Sequence, residues 1–460
     1  MLQGSRLNFW QRLTPSQLFV LSFLLLILLG AAGFLGLPGL YTGQPLSWLD
    51  ALFTSTSAVC VTGLSVIDVS SRLTFRGQAY LLVLIQLGGL GMLTLASMIL
   101  ASLGGRLSLR AESITVNSVQ NGAYASARRM VVDVVRFTIV IEGVGALLLY
   151  AFWLPEMGHQ AALWSGVFHS VSAFCNAGFS TFSDSLIQHR DAPAVSLTIT
   201  TLIVLGGIGF LTMEELFQHW FRRSRKKLQH RRPVSIHTKL VILTSAMLTL
   251  VGWVFFAVLE WDNTLGPLSI VDKLHNSLFM SVTPRTAGFN MIDYTHATDS
   301  TNFLTILLMM IGGSPGSTAG GMKTTTFALL GLIAWSRLRG HGTTAFVNRS
   351  IPDETLQRAV GLFVLATGVV VFGVLLLTTI ESSATALAPF LAYAFEVVSA
   401  FNTVGLSMNL TTEISPLGRW LLILLMFLGR VGPLALVAAF IVRRSANSKI
   451  RFAYEDVIVG

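Results

Sequence analysis

The stretch RTAGF at residues 285–289 has close counterparts in CVTGL (60–64), CNAGF (175–179) and NTVGL (402–406). The central glycines, Gly63, Gly178, Gly288 and Gly405, are 115, 110 and 117 residues apart. A second small-residue cluster follows each motif: LGGLGMLT (87–94), LGGIGFLT (205–212), IGGSPGST (311–318) and LGRVGPLA (428–435). Counted to Gly88, Gly206, Gly312 and Gly429, its offset from the motif glycine is 25, 28, 24 and 24 residues. Serine stands six residues before the glycine in three copies (Ser57, Ser172, Ser399), whereas the third has Val282 followed by Thr283 and Pro284. One unit is therefore repeated four times.

The surroundings of the motif are apolar. Of 460 residues, 53% are hydrophobic and 12% charged, against about a quarter charged in soluble domains. Apolar runs near 17–41, 79–101, 130–154, 194–218, 239–259, 302–335, 359–380 and 417–442 are each long enough to cross a hydrocarbon core, which takes about 20 helical residues. The first run is longer than the ~7–15-residue core of a secretion signal and is read as a span. Two cysteines, Cys60 and Cys175, exclude a disulfide framework or a cysteine metal site. The net charge of +9 does not mark a nucleic-acid binder, because 22 of the 31 Lys and Arg lie in segments 1–16, 101–130, 219–239, 335–358 and 443–460. The loops between hold mostly acids, so the positive-inside rule makes the basic segments and both termini cytoplasmic. Contact with anionic membrane lipid fits the same charge.

Between paired spans lie SWLDALFTSTSAV, ALWSGVFHSVSAF, DKLHNSLFMSVTP and LAPFLAYAFEVVSAF, too short to cross and too apolar for solvent. They read as re-entrant half-helices. The expected fold is an all-α integral membrane protein: four M1–pore-loop–M2 units around a pseudo-fourfold axis, with eight transmembrane helices and four re-entrant pore helices. The units span 17–104, 130–221, 239–336 and 359–443. Cytoplasmic stretches 1–16, 105–129, 222–238, 337–358 and 444–460 flank and link them.

Half-helix C-termini carry negative partial charge and would draw a cation to the axis. Irregular backbone at membrane depth is tolerated where it lines a watery cavity, and carbonyls there can replace an ion's hydration shell. Glycine suits such a turn because positive φ costs it nothing. The expected K+ selectivity filter is Val61, Thr62 and Gly63; Asn176, Ala177 and Gly178; Thr286, Ala287 and Gly288; Thr403, Val404 and Gly405, with K+ at their carbonyls. The competing reading is close helix packing by small residues. The repetition of the whole unit argues against it.

From the first span to the tail, these features resemble the Trk/Ktr/HKT superfamily of potassium transporters, and within it the Ktr branch. The resemblance implies K+ uptake across the bacterial inner membrane through a four-unit pore, Na+ dependence as in Ktr relatives, and no organic cofactor. It also implies a homodimer seated on a KtrA-like nucleotide-binding cytoplasmic ring. Some plant relatives with serine at the first filter position favour Na+; all four positions are glycine here.

GGSPGSTAGGMKTTT (312–326) holds five glycines and Pro315 within ten residues, which disfavours a continuous helix. The expected break is Gly312, Gly313, Ser314, Pro315, Gly316, Ser317, Thr318, Ala319, Gly320 and Gly321; the family resemblance implies that it gates conduction. A nucleotide-binding loop is excluded because Met322 displaces the lysine and no strand precedes it. Two basic residues fall in second spans. Arg430 is expected in the pathway, with a structural carboxylate pair as the alternative; Lys323 lines the gate or snorkels to the cytoplasmic end. Arg285 is expected to brace the filter from behind, and His169 to be a packed or hydrogen-bonded histidine. The rival function is an alternating-access carrier, which commonly shows two halves rather than four like-oriented units. No nucleophile–base pair supports an enzyme.

Overall fold

The structure is a computed structural model describing residues 15–104, 119–221, 234–340, 342–382 and 388–432. The N-terminal stretch, most of the linkers 105–129 and 222–238, the end of the fourth unit and the tail 444–460 lie outside the described residues.

The first unit comprises α1 (Pro15–Gly36), the short α2 (Trp48–Val59), one turn of helix α3 (Val69–Arg72) and α4 (Phe75–Gly104). In the second, α5 (Val119–Cys175) bends at Gly158, whose φ of 74° and ψ of 171° are not helical; its second arm, 159–175, matches α2. The unit ends with α6 (Pro193–Ile208) and α7 (Phe210–Phe221). The third unit has α8 (Ile236–Glu260), the short α9 (Ile270–Val282), α10 (Asp299–Met309) and α11 (Thr324–Leu338), with an interrupted stretch between the last two. The fourth has α12 (Asp353–Glu381), the short α13 (Phe390–Phe401) and α14 (Pro416–Val431).

Local chemistry sets these ends. Ser47 and Ser269 cap α2 and α9, accepting from the Asp50 and Asp272 amides at 3.2 Å; Asp50 and Asp272 also sit in the first turns, where negative charge suits the helix dipole. Ser415 caps α14, and Pro416 opens it.

Among the described residues, four helical stretches are long and apolar enough to cross a membrane: Gln17–Gly36, Val131–Cys175, Ile236–Glu260 and Asp353–Glu381. They include the first helix of each unit and turn large apolar side chains outward, among them Leu29, Leu147, Val258 and Val371. The short helices are buried instead: Phe53, Ser57, Phe168, Phe279, Phe395 and Ser399 are all fully enclosed. Each first helix admits its short helix at a glycine. A Cβ on Gly30, Gly145 or Gly252 would meet Ser55, Ser170 or Ser281 Oγ within 2.5 Å. Those hydroxyls donate to the Ile27, Glu142 and Thr249 carbonyls, each at 2.7 Å.

The units contact in cyclic order. α4 packs on α5, α6 on α9, α10 on α13, and α14 returns to α2. At the closing seam Arg419 pairs with Asp50 at 2.6 Å.

One expectation needs correction. The apolar run 194–218 is not one straight span: α6 and α7 meet at a bend of 100°, hinged at Gly209 with φ 88° and ψ 145°. Gly432 ends α14 with nearly the same angles, 85° and 136°. Glycine reaches this conformation without Cβ strain, which is why the last glycine of LGGIG and of LGRVG can stop a helix. The segment 337–358 has local structure of its own. It carries an antiparallel hairpin, β1 (Ala345–Phe346) with β2 (Arg349–Ser350), closed by Val347 and Asn348 at φ 48° and 57°, the left-handed pair of a two-residue hairpin turn.

Candidate functional site

The four short helices end at the glycine motifs, and the chain leaves each by the same backbone route. The residue two before the glycine has positive φ: Val61 56°, Asn176 59°, Thr286 77° and Thr403 51°. The glycine has it too, at 96°, 68°, 79° and 95° for Gly63, Gly178, Gly288 and Gly405. A β-branched residue held in this region is strained, as Val61, Thr286 and Thr403 are, whereas Asn176 tolerates it; three strained copies at one position mark a site the surrounding structure enforces.

The glycines form a closed ring. A Cβ added to Gly63 would stand 2.5 Å from the Ala177 carbonyl oxygen; to Gly178, 2.9 Å from that of Ala287; to Gly288, 2.4 Å from that of Val404; to Gly405, 2.2 Å from that of Thr62. Each motif glycine thus lies against the carbonyl preceding the next unit's glycine. The contacts run through all four units and return to the first.

Hydroxyls hold the turns. Ser57 and Ser399 Oγ accept from the Gly63 and Gly405 amides, both at 3.1 Å, while Ser172 Oγ donates to the Phe179 carbonyl at 2.8 Å. In the third unit Thr283 takes this part, donating to the Phe289 carbonyl at 2.6 Å. Thr283 precedes its glycine by five residues rather than six, and Ser281 sits one position nearer than Ser55 or Ser170. The third turn is therefore one residue shorter, which explains the departure at Val282.

On one side of the ring a cavity of about 370 Å³ has the four glycines among its lining, with Asp68, Asp184 and Asp293 but no Lys or Arg. Burial pushes the Asp68 carboxyl up, but hydrogen bonds from Ser183, Ser70 and Ser71 outweigh it and hold it below the usual carboxylate range. At Asp293 burial is likewise outweighed, by hydrogen bonds from Thr295 and by His296. The mouth is anionic at neutral pH.

On the other side runs the interrupted stretch, with Ser314, Ser317, Thr318 and Ala319 buried. Because α6 stops at Gly209, its last carbonyls are unpaired and the stretch satisfies them. The Ser314 amide donates to the Gly207 carbonyl at 2.9 Å and the Thr318 amide to that of Gly206 at 3.3 Å. Ser314 Oγ donates to the Ile208 carbonyl, and the Phe210 amide returns a bond to the Gly316 carbonyl at 3.0 Å. The stretch closes on itself through Gly312 N to Met322 O at 2.8 Å and Thr324 N to Gly313 O at 3.0 Å.

Arg430 is 1% exposed. Its guanidinium donates to the Thr318 carbonyl and, at 3.0 Å, to the Gly88 carbonyl, joining the third, fourth and first units; among the described residues it has no carboxylate partner. Lys323 Nζ donates to Ala319 O at 2.6 Å, within its own segment. Arg285 turns away from the ring, bonding Ser245 O and Thr249 Oγ1, both at 3.2 Å, and Ser245 Oγ at 3.0 Å. The second small-residue clusters are packing positions: a Cβ on Gly88, Gly206 or Gly429 would meet the Val59, Phe174 or Phe401 carbonyl within 2.1 Å.

Glu142 was not singled out from the sequence. It is buried in α5, accepting from Gln86 Nε2 at 3.0 Å and lying 3.9 Å from Cys175 Sγ. The signal was one acid inside an apolar run, RFTIVIEGVGALLLY.

The repeat, the ring and the anionic mouth define a membrane-spanning transporter of cations rather than an enzyme, and the chain belongs to the TrkH family, described as cation transport protein, whose match covers residues 27–450. It is 39% identical to the Ktr system potassium uptake protein B of Bacillus subtilis (strain 168) over all of both chains. It is 33% identical to the potassium/sodium uptake protein NtpJ of Enterococcus hirae over 98% of each. Its fold is similar to the crystal structure of the potassium transporter TrkH from Vibrio parahaemolyticus, with TM-score 0.72 at 22% identity, covering 94% of this chain and 86% of that one.

Proposed function

We propose that this chain is the membrane subunit of a potassium uptake system, conducting K+ inward across the bacterial inner membrane through the glycine ring. Backbone carbonyls of 61–63, 176–178, 286–288 and 403–405 form the selectivity filter, each first and second helix crosses the bilayer, and both termini are cytoplasmic. The closed contact of the four glycines carries this reading. It brings four irregular backbone segments together within a body of apolar helices, and lining an ion path would satisfy their carbonyls. Residues 312–321 are the gate: they lie beneath the ring and are held by Arg430, with Lys323 steadying their end. The names of the relatives support K+ as the ion, and that of the Enterococcus protein supports a part for Na+. A homodimer on a nucleotide-binding ring completes the proposal. The alternating-access carrier finds no support in the cyclic contacts of four like units.

The test is Rb+ uptake into proteoliposomes holding the purified protein, with and without Na+, beside Gly288→Ser. Selective wild-type uptake and unselective uptake by a normally folded variant support the filter. Equal selectivity in both proteins rejects it.

A further inference from the structure

Eight or nine residues before each motif glycine, the position just ahead of the one that faces the first helix is Thr54, His169, Met280 and Glu396 in the four units. All four side chains are buried, none more than 1% exposed. Two of them reach over to the strand leaving the ring, at the residue two after the glycine. His169 Nε2 lies 2.9 Å from Ser180 Oγ, and its Nδ1, 2.8 Å from the Ser165 carbonyl, carries the proton, so the neutral ring accepts from Ser180. Glu396 Oε2 accepts from Ser407 Oγ at 2.9 Å and Oε1 from Thr411 Oγ1. The other two units lack this link: Thr54 Oγ1 has no partner, and Met280 has no polar atom to offer.

The two linked units stand opposite each other, since the ring runs in chain order. The second unit passes its support on. Beyond Ser180, Ser183 donates to Asp68 of the first unit at 2.8 Å, while Ser185 Oγ accepts from the Asn290 amide at 3.2 Å and the Leu186 amide donates to the Asn290 carbonyl at 3.0 Å. Asn290 is itself the residue two after Gly288. One anchored loop thus holds the outer strands of three units, and the fourth is held through Glu396.

We propose that Glu396, acting through Ser407, is a positioning residue that sets how tightly the fourth unit closes the ring and hence how well the site discriminates K+ from Na+, with His169 and Ser180 the matching anchor of the other three units. The inference rests on the reading of the ring as the filter. An unpaired carboxylate enclosed in apolar surroundings is costly, and two hydroxyl donors on its two oxygens fix its geometry. A taut ring penalises an ion of the wrong radius. Without the anchor the outgoing strand yields, and the carbonyls of Val404 and Gly405 adapt to either ion.

The experiment measures Rb+ and Na+ uptake into proteoliposomes for Ser407→Ala, Glu396→Gln, Thr54→Ala and Gly405→Ser, with thermal unfolding in detergent as a check on folding. The ratio of Rb+ to Na+ uptake should fall by about tenfold in Ser407→Ala, the scale of one hydrogen bond to a charged group. Glu396→Gln, which keeps an acceptor for Ser407, should retain most of the ratio, and Thr54→Ala should not change it. A purely structural role would lower uptake of both ions together and leave the ratio intact. An unchanged ratio in Ser407→Ala beside a collapsed ratio in Gly405→Ser overturns the anchor alone. An unchanged ratio in Gly405→Ser as well overturns the filter reading beneath it. Should Glu396→Gln not fold, Ser407→Ala, which removes one surface-side hydroxyl, still decides the matter.

Discussion

Asn176 Nδ2 donates to Thr318 Oγ1 at 2.8 Å, and that hydroxyl donates in turn to the Phe174 carbonyl at 3.1 Å. A residue of the second unit's glycine turn is thereby bonded to the interrupted stretch of the third. Anything that moves the stretch must break this link or drag the turn with it.

Thr318→Val keeps the shape and removes both bonds. Each is worth about 0.5–1.5 kcal/mol net, so the closed position of the stretch should weaken and K+ flux should rise about tenfold in the proposed channel. Deleting residues 316–320 should raise it further. Flux measured by Rb+ uptake without the cytoplasmic partner is the check; no change in either variant would reject the gate.

Arg430→Gln should act in the same direction by a different route. The bonds to the Thr318 and Gly88 carbonyls are lost and a positive charge leaves the proposed path, which would lower a barrier to cations. Higher K+ flux with reduced thermal stability is expected. A variant with higher stability and lower flux would contradict it.

Gly429→Ala tests packing rather than conduction. Its Cβ would lie 1.6 Å from the Phe401 carbonyl oxygen, a clash with backbone that α13 cannot relieve by a rotamer change. Overpacking of this kind costs about 1–3 kcal/mol or more. Thermal unfolding in detergent should show a clear loss, whereas Gly143→Ala, with nothing nearby, should be neutral.

The pH dependence follows from the anionic mouth. Asp68 and Asp293 are held below the ordinary aspartate value of 3.8, so their charge, and the stability their hydrogen bonds contribute, is present at neutral pH and lost only as pH falls through those lowered values. The K+ concentration for half-maximal uptake should stay constant between about pH 7 and 5 as far as these groups decide it. Asp68→Asn should raise that concentration, most at low ionic strength where screening is weak. A constant value in Asp68→Asn at every salt concentration would remove the mouth from the mechanism.

Reading the chain as four units needed only spacing, because a repeat built on backbone conformation leaves its glycines in place while the residues around them vary. That same dependence on backbone hid the shortened third turn. Val282 stands where serine is expected, and only the hydroxyl geometry shows that Thr283 has moved into the role. The break at 312–321 was legible because five glycines and a proline crowd one helical stretch; the break at Gly209 was not, because LGGIG differs little from LGGLG of the first unit, where α4 runs on unbroken.

The sequence by itself determined that the chain lives in a membrane, that it repeats four times and that each repeat carries a glycine turn, since hydropathy and glycine's freedom at positive φ are properties of single residues and short windows. Only the tertiary structure decided which carbonyl each glycine meets, that Arg430 and Thr318 join units far apart in the chain, and that Glu396 and His169 hold the outgoing strands. Those are distances between segments separated by many residues, and they are set by how four packed units close into a ring, which no local pattern encodes.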